Sequence, residues 1–294
     1  MYDDAYDDAS IVSDFRERYA AGGPPTQGAA VRRFRSIIYA YFRKHARDFP
    51  WRRTDDPYRI LVSEIMLQQT QTGRVTEKYL EFIRAFPAVQ DLARAPLRDV
   101  LAVWQGMGYN RRARYLHELA IRIVEAHDGV IPDSPGELVA LPGIGRATAA
   151  SICAFAFNRP VVFIETNIRA VFIHFFLHDR EGVSDDDILP LAAATLDRNH
   201  PHRWYSALMD YGAMLKKRHP NPSRKSAHHA KQKPFAGSRR ELRGEALRTV
   251  LAQPGITVRR LATAVRRPED EVVSVVDDMV REGLVRKQGK RLFV

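Results

Sequence analysis

The sequence predicts an all-α protein that ends in a small module of mixed structure. In residues 31–215 apolar side chains recur at helical spacing nearly throughout, and the breaks fall at prolines and glycines such as Pro57, Pro96 and Gly106. After residue 240 come three helical segments and two short strand-like runs around Gln288 and Gly289. That order is typical of a winged helix.

Composition and charge divide the chain further. We expect a flexible acidic tail over 1–28, a helical domain over 29–215, a basic Pro-containing linker over 216–240 and the winged-helix-like module over 241–294. Nine basic residues and no acidic residue lie between Lys216 and Arg240, out of a net charge of +11. Such a run is either a solvated tether or a segment that lies along phosphates. Its first three residues, Lys216, Lys217 and Arg218, are candidate DNA contacts.

Several classes of protein are excluded. The chain has no apolar stretch of about 18 residues that could span a membrane, and its first 15 residues carry five aspartates and no basic residue, unlike a signal peptide. We therefore expect an intracellular protein, cytoplasmic or nucleoid-associated, with no membrane partner. Cys153 is the single cysteine, which excludes an intramolecular disulfide and a multi-thiolate metal cluster.

The segment LPGIGRATAA, residues 141–150, indicates an anion site. Pro142 fixes its own φ, whereas Gly143 and Gly145 permit positive φ and present backbone N–H groups just before a helix that contains Thr148. A helix N-terminus with accessible N–H groups favours a phosphate. The alternative is a plain tight turn between two helices.

Two carboxylates are candidates for chemistry. On a helix, Glu64, Gln68 and Gln71 fall at i, i+4 and i+7 and form a polar stripe beside apolar neighbours. A carboxyl group in an apolar setting can act as a general acid near neutral pH, and with Glu165, at the end of an apolar run, it would form a pair able to cleave a glycosidic bond. The alternative is that Glu64 is a solvated helix residue.

Four segments in order resemble one family. FPWRRTDDPYRILVSEIMLQQTQT (49–72), WQGMGYNRRARYLHELA (104–120), LPGIGRATAA and MDYGAML (209–215) are similar to MutY-type adenine DNA glycosylases of the helix-hairpin-helix (HhH-GPD) superfamily. The resemblance covers residues 30–215. It implies two helical lobes with DNA bound across a cleft, and a hairpin that holds backbone phosphates with a monovalent cation, K⁺ or Na⁺.

The resemblance also implies roles for individual residues. Glu64 matches the glutamate that protonates the flipped adenine and positions water, and Asn167 matches the usual asparagine beside the second acid. Arg47, Trp51 and Asp210 match residues of the base pocket. The remaining candidates are DNA contacts at the mismatch or at the hairpin: Gln68, Gln69, Tyr109, Asn110, Gly143, Gly145 and Thr148.

Some positions depart from the family pattern. Glu165 stands where aspartate is usual, so either the pocket is recessed to fit the longer side chain or the mechanism or substrate has shifted. Ala147 stands where bifunctional relatives carry a lysine; without that amine no Schiff base forms there, and strand cleavage is not expected. Asn110 replaces a common second aromatic residue.

Cofactor positions depart as well. The four cysteines that hold the family's iron-sulfur cluster fall here at Lys216, Ser223, Ser226 and Gln232, so no cluster is expected. Three histidines, His219, His228 and His229, follow the MDYGAML segment, and we interpret them as solvated basic residues that bind no metal ion. The family's Nudix-like C-terminal domain is replaced by residues 241–294, which contact either DNA or another repair protein.

The sequence thus predicts a monofunctional DNA glycosylase of base excision repair. It would remove a mispaired base, adenine opposite guanine or 8-oxoguanine, from double-stranded DNA. One alternative is a glycosylase for thymine or uracil mismatched with guanine. Another is a non-catalytic protein that binds damaged DNA.

Overall fold

The computed structural model describes residues 8–19, 28–229 and 235–294. The chain divides into two compact units, each made of two separate segments. The first unit contains Met1–Asp48 and Ala150–Lys231, and the second contains Phe49–Ala149 and Gln232–Val294. The expected division into consecutive domains therefore does not match the compact units, because distant segments pack together in both.

The described residues form helices almost throughout, with one small sheet, which confirms the predicted fold class. The helices and strands are α1 (Asp8–Tyr19), α2 (Ala29–His45), α3 (Pro57–Leu67), α4 (Thr72–Ala85), α5 (Val89–Arg94), α6 (Leu97–Val103), α7 (Arg111–Ala126), α8 (Pro135–Val139), α9 (Arg146–Phe157), α10 (Thr166–Phe176), α11 (Asp185–Thr195), α12 (Pro201–Arg218), α13 (Arg239–Ala252), β1 (Ile256–Thr257), α14 (Val258–Val265), α15 (Glu269–Arg281), β2 (Arg286–Gln288) and β3 (Arg291–Phe293). Short 3-10 helices occupy Pro50–Arg52 and Pro222–Lys225.

The first unit is built around α2, α10 and α12. Phe34 of α2 is fully buried, and its ring lies 5.0 Å from that of Phe175 of α10 and 5.8 Å from that of Trp204 of α12. Aromatic rings at such spacings contribute beyond the area they bury. The candidate site residues of this unit lie on these three helices or directly beside their ends.

The acidic N-terminal residues do not all behave as a tail. Residues 8–19 form α1, whose Val12 and Phe15 are 1% and 0% exposed, and the Phe15 ring packs edge-on against Phe175 at 5.5 Å. The prediction of a flexible tail over 1–28 is wrong for these residues, because an apolar helix face outweighs the acidic composition. Residues 1–7 and 20–27 lie outside the described residues.

The basic segment after residue 215 is also structured over much of its length. Lys216, Lys217 and Arg218 form the last turn of α12, and Pro222–Lys225 form a 3-10 helix with Pro222 and Ser223 buried. The Val183 N–H donates to the Lys225 carbonyl at 2.9 Å. The prediction of a linker over 216–240 is therefore wrong for 216–229, since this stretch buries proline and serine against the unit. Residues 230–234 lie outside the described residues.

The second unit contains α3 to α8 and the first residues of α9. Its core includes Trp104 and Phe82, whose rings meet edge-on at 6.0 Å. Among the described residues, no helix combines the length and the apolar character that crossing a membrane requires.

The C-terminal residues confirm the winged-helix order. Three helices are followed by a hairpin, and β3 pairs antiparallel with both β1 and β2, with Leu292 opposite Ile256 and Lys287. This module belongs to the second unit, where Arg114 of α7 donates to the Glu282 carbonyl and Arg240 donates to the Tyr109 hydroxyl at 3.2 Å. It is docked on the helical domain.

Candidate functional site

Glu64 lies near the end of α3 in the second unit. Asp56 starts this helix, because its carboxylate accepts hydrogen bonds from the Tyr58 and Arg59 N–H groups and Pro57 occupies the first turn. Glu64 is half-buried, whereas its neighbours Ser63 and Ile65 are buried. A carboxyl group is thus held in a largely apolar helix.

Arg112 fixes the loop that follows α3. Its Nη1 donates to the carbonyls of Ile65 and Met66, both at 2.9 Å, and of Gln68 at 2.6 Å, while Nη2 donates to Thr70 Oγ1 at 2.9 Å. A cation at the last carbonyls of a helix is favourable. Burial lowers the pKa of Arg112 to about 10, so it stays charged at neutral pH. The guanidinium therefore sets the backbone of this loop.

The sequence carried a signal for Arg112 that was missed. It is 8% exposed, and Leu116, Leu119 and Ile123 follow it along the buried stripe of α7. An arginine in register with such a stripe must find polar partners inside the protein. The carbonyl groups at the end of α3 supply them.

The glycine hairpin leads into α9 as expected. Gly143 has φ 77°, and a Cβ there would lie 2.7 Å from the Tyr115 Cβ, so only glycine fits. Gly145 does not use positive φ, but it is exposed and has open space around it. Thr148 accepts a hydrogen bond from Gln68 Nε2 at 3.2 Å, which ties the hairpin to the loop after α3. The exposed glycine backbone is open to an anion.

In the first unit, Glu165 is the N-cap of α10. Its Oε1 accepts from the Asn167 and Ile168 N–H groups at 2.7 and 2.9 Å, and Oε2 accepts from Asn167 Nδ2 at 3.1 Å. The longer side chain thus folds back onto the helix terminus, where the dipole favours a negative charge. The extra methylene is taken up by this cap, and Asn167 holds the other carboxylate oxygen.

Arg47 and Asp210, predicted to share a base pocket, are paired. Arg47 Nε lies 2.7 Å from Asp210 Oδ1, and the Arg47 backbone N–H donates to Oδ2 at 2.9 Å. The Asp210 side chain is fully buried. Burial lowers the pKa of the nearby Lys216, with Glu165 acting against this shift and Arg47 adding to it. Four charged groups therefore influence one another in this unit.

A close helix contact positions Asn167. A Cβ built on Gly212 of α12 would lie 2.2 Å from the Asn167 carbonyl oxygen, so the two backbones approach as only glycine allows. The MDYGAML segment thus supplies both the buried Asp210 and the surface on which the start of α10 rests.

The other predicted residues occupy varied settings. Trp51 is buried, stacked on Phe49 at 4.8 Å and edge-on to Tyr79 at 5.6 Å. Tyr109 is exposed and Gln69 adopts positive φ, 54°, at the surface. Asn110 directly precedes α7, and Lys217 and Arg218 are exposed at the end of α12.

The predicted residues are divided between the two units. The second unit holds Glu64, Trp51, Gln68, Gln69, Tyr109, Asn110, Gly143, Gly145 and Thr148, and the first holds Arg47, Glu165, Asn167, Asp210, Lys216, Lys217 and Arg218. A helical scaffold with a glycine hairpin and a half-buried glutamate is what the resemblance to the class of helix-hairpin-helix DNA glycosylases implies.

The comparison with known families agrees with this class. Residues 62–188 match the family described as "HhH-GPD superfamily base excision DNA repair protein". The match includes Glu64, the hairpin and Glu165. Both candidate catalytic carboxylates and the glycine hairpin therefore lie inside the matched segment.

The individual proteins to which the chain is similar are DNA glycosylases. The chain is 33% identical over 186 residues to an adenine DNA glycosylase of Buchnera aphidicola, covering 62% of this chain and 52% of that protein. It is 37% identical over 184 residues to the adenine DNA glycosylase of Mycobacterium tuberculosis, covering 60% of each. Among solved structures, a thermostable thymine-DNA glycosylase is similar, with TM-score 0.57, 25% identity and coverage of 67% of this chain and 94% of that chain. The chain thus spans between half and two thirds of the length of these adenine DNA glycosylases.

Proposed function

We propose that this protein is a monofunctional DNA glycosylase that excises adenine opposite guanine or 8-oxoguanine. The observation that carries the proposal is the superfamily match over 62–188, which contains Glu64 and Glu165, together with 33–37% identity to proteins named adenine DNA glycosylase. Its partner is double-stranded DNA with a mismatched or damaged base.

Glu64 is the proposed general acid. It transfers a proton to the flipped adenine, the N-glycosidic bond breaks, and the base leaves in neutral form. A water molecule held by the same carboxylate then adds its oxygen to the sugar carbon and returns a proton. Glu64 is half-buried on a largely apolar helix, a setting in which a carboxyl group can act as a general acid.

Glu165 is the proposed stabiliser of the cationic sugar. Its carboxylate is fixed by three hydrogen bonds from the start of α10. A preorganised negative charge needs no reorientation as the oxocarbenium-like state forms. Asn167, which holds one of its oxygens, keeps this charge in place.

Trp51 of the second unit is a proposed stacking surface for the flipped base, and the Arg47–Asp210 pair of the first unit is a proposed source of hydrogen bonds to a base edge. A flipped base is recognised by hydrogen bonds to its edge and by aromatic stacking. Gln69 and Tyr109, both at the surface, are proposed to contact the duplex beside the mismatch. The hairpin glycines and the exposed Lys217 and Arg218 are proposed to bind backbone phosphates, with K⁺ or Na⁺ at the hairpin.

A duplex panel tests the proposal. Purified protein is incubated with end-labelled duplexes carrying A:G, A:8-oxoguanine, T:G or U:G, and each reaction is divided for treatment with or without alkali. We expect strand breaks only after alkali, and fastest with the adenine mismatches, because Ala147 offers no amine for β-elimination. Tight binding without release of any base would contradict the proposal.

A pair of variants tests the acid. Glu64→Gln keeps the size and hydrogen-bonding capacity of the side chain but cannot donate the proton, so we expect excision to fall to background with DNA affinity retained. Glu77→Gln changes a glutamate of α4 in the same unit, outside the matches to the glycosylase motifs, and serves as the control. Full activity of Glu64→Gln would remove Glu64 from the mechanism.

Excision of thymine from T:G pairs is the second candidate function. It is favoured by the solved thymine-DNA glycosylase, which covers two thirds of this chain, and by Glu165 and Asn110, which depart from the adenine-specific pattern. The T:G arm of the panel decides between the two bases by relative rate.

A further inference from the structure

A group of potential metal-binding side chains lies in the first unit, at positions that the proposed glycosylase chemistry does not use. Asp8 of α1, His174 of α10 and His219 at the end of α12 place their ligand atoms within 4.8 Å of one another. Asp8 Oδ2 lies 3.0 Å from His219 Nε2 and 3.5 Å from His174 Nε2. Asp8 is 3% exposed, so this carboxylate is taken out of water.

The spacing of these atoms suits a shared metal ion. Zinc binds nitrogen and oxygen at about 2.0–2.2 Å in a tetrahedron, which places neighbouring ligand atoms about 3.3 Å apart. The two separations from Asp8 bracket that value. One carboxylate and two imidazoles are also a ligand set that first-row divalent ions prefer.

The hydrogen bonding of the group is incomplete without an ion. Within the described part of the chain, His174 Nε2 is buried and makes no well-formed hydrogen bond, since its contact with Asp8 Oδ2, at 3.5 Å, is longer than a normal hydrogen bond. A buried polar atom without a partner is costly. An ion between the three side chains would satisfy His174 Nε2 together with the other two ligands.

The surroundings orient the ligands. The Tyr211 hydroxyl donates to Asp8 Oδ1, which leaves Oδ2 toward the histidines. Arg16 donates to the His174 backbone carbonyl, which fixes the backbone of that ligand. Partners behind the ligating atoms are typical of metal sites, where they set the direction of each ligand.

We propose that Asp8, His174 and His219 bind one divalent transition-metal ion, for which Zn²⁺ is the best match, with water as the fourth ligand. This changes the expectation that His219 is a solvated basic residue and that the chain holds no metal. The other two histidines, His228 and His229, are exposed and are not part of the site. The ion would fasten α1 to α10 and to the end of α12, beside the segment 222–226.

Binding of the metal alone tests the site in the full-length protein. Protein freed of metal with a chelator and of any affinity tag is titrated with ZnCl₂ by calorimetry, and with CoCl₂ by visible absorption. We expect one ion per chain, a rise in melting temperature with Zn²⁺, and the visible bands of Co²⁺ in a nitrogen and oxygen site. Failure to bind either ion at one per chain would overturn the proposal.

Variants assign the binding to these residues. His219→Gln removes a ligand whose side chain is 28% exposed, so the fold should tolerate it, and we expect at least a tenfold loss of Zn²⁺ affinity and loss of the Co²⁺ bands. His228→Gln, an exposed histidine of the same segment, should bind as the wild type does. Equal Zn²⁺ affinity of His219→Gln and wild type would refute the assignment. Both readouts are independent of base excision.

Discussion

Replacing Gly212 by alanine is expected to damage excision through a backbone shift. The added Cβ would lie 2.2 Å from the Asn167 carbonyl oxygen, 2.7 Å from its carbon and 2.8 Å from the Asn167 Cα. All three atoms are backbone, so no side-chain rotation relieves the contact. An ordinary contact of about 3.4 Å requires α10 and α12 to separate locally by about 1 Å.

The shift falls on the start of α10, where Glu165 and Asn167 are joined by hydrogen bonds. Misplacing a reacting group by about 1 Å can cost about a hundredfold in rate, which is about 2.7 kcal/mol in the activation barrier. Overpacking in a tight helix contact costs about 1–3 kcal/mol of stability. Alanine recovers up to about 1 kcal/mol of this through its helix propensity.

Single-turnover excision from an A:8-oxoguanine duplex and urea unfolding measure the two effects. Gly244→Ala is the matched control, because Gly244 lies within α13 and a Cβ added there would meet open space, with nothing within 4 Å. We expect the control to excise at the wild-type rate and to gain roughly 0.5–1 kcal/mol in stability. Wild-type rate and stability in Gly212→Ala would refute the reasoning, since the contact would then be absorbed without moving the site.

Three further changes have defined outcomes. Arg112→Met leaves buried carbonyls without donors, so it should lower the free energy of unfolding in urea by about 3 kcal/mol and slow excision. The control, Arg111→Met, changes a largely exposed side chain on the same helix and should alter that free energy by no more than about 0.5 kcal/mol. Equal losses of stability in the two variants would contradict the role of the Arg112 guanidinium. Glu165→Asp keeps an N-cap that reaches the same amides, so it should retain excision within about tenfold, and a fall to background would show that the longer side chain is required. Hydrogen bonds from Ser184, with Arg180 nearby, lower the pKa of Asp187 to about 2. The ionised Asp187 therefore stabilises the folded protein fully at pH values above the ordinary aspartate pKa, and this stabilisation is lost as the pH falls toward 2. The difference in urea midpoint between wild type and Asp187→Asn should therefore be the same at pH 7 and pH 5 and shrink at pH 3; a constant difference would contradict the shift.

Much of the fold could be predicted from local patterns. Periodic apolar residues indicate the helices, the Gly143 hairpin has the positive φ that its glycine permits, and the strand-like runs around Gly289 form the predicted wing. The family resemblance assigned Arg47 and Asp210 to one pocket, but the sequence did not predict that the two side chains form an ion pair. No local pattern joins positions 163 residues apart.

The missed features depend on long-range partners. Aspartates dominate the composition near the N-terminus and favour a tail there, although Val12 and Phe15 lie on one helix face. The burial of Asp8 depends on Tyr211 and His219, which the sequence does not place beside it. A clearer signal was His174, a single ionisable side chain in the apolar run VFIHFFL, since a buried imidazole needs a partner.

The segmented make-up of each unit has a consequence for synthesis on the ribosome. The apolar face of α1 leaves the exit tunnel early, but α10 and α12, which cover it, follow more than 140 residues later. Chains grow at about 5–20 residues per second, so Phe15 remains uncovered for several seconds at least. The second unit likewise gains its docked module only after residues 235–294 emerge. Neither unit can complete its core until the later of its two segments has been made, so the nascent chain depends on whatever protects exposed apolar surface in the cell.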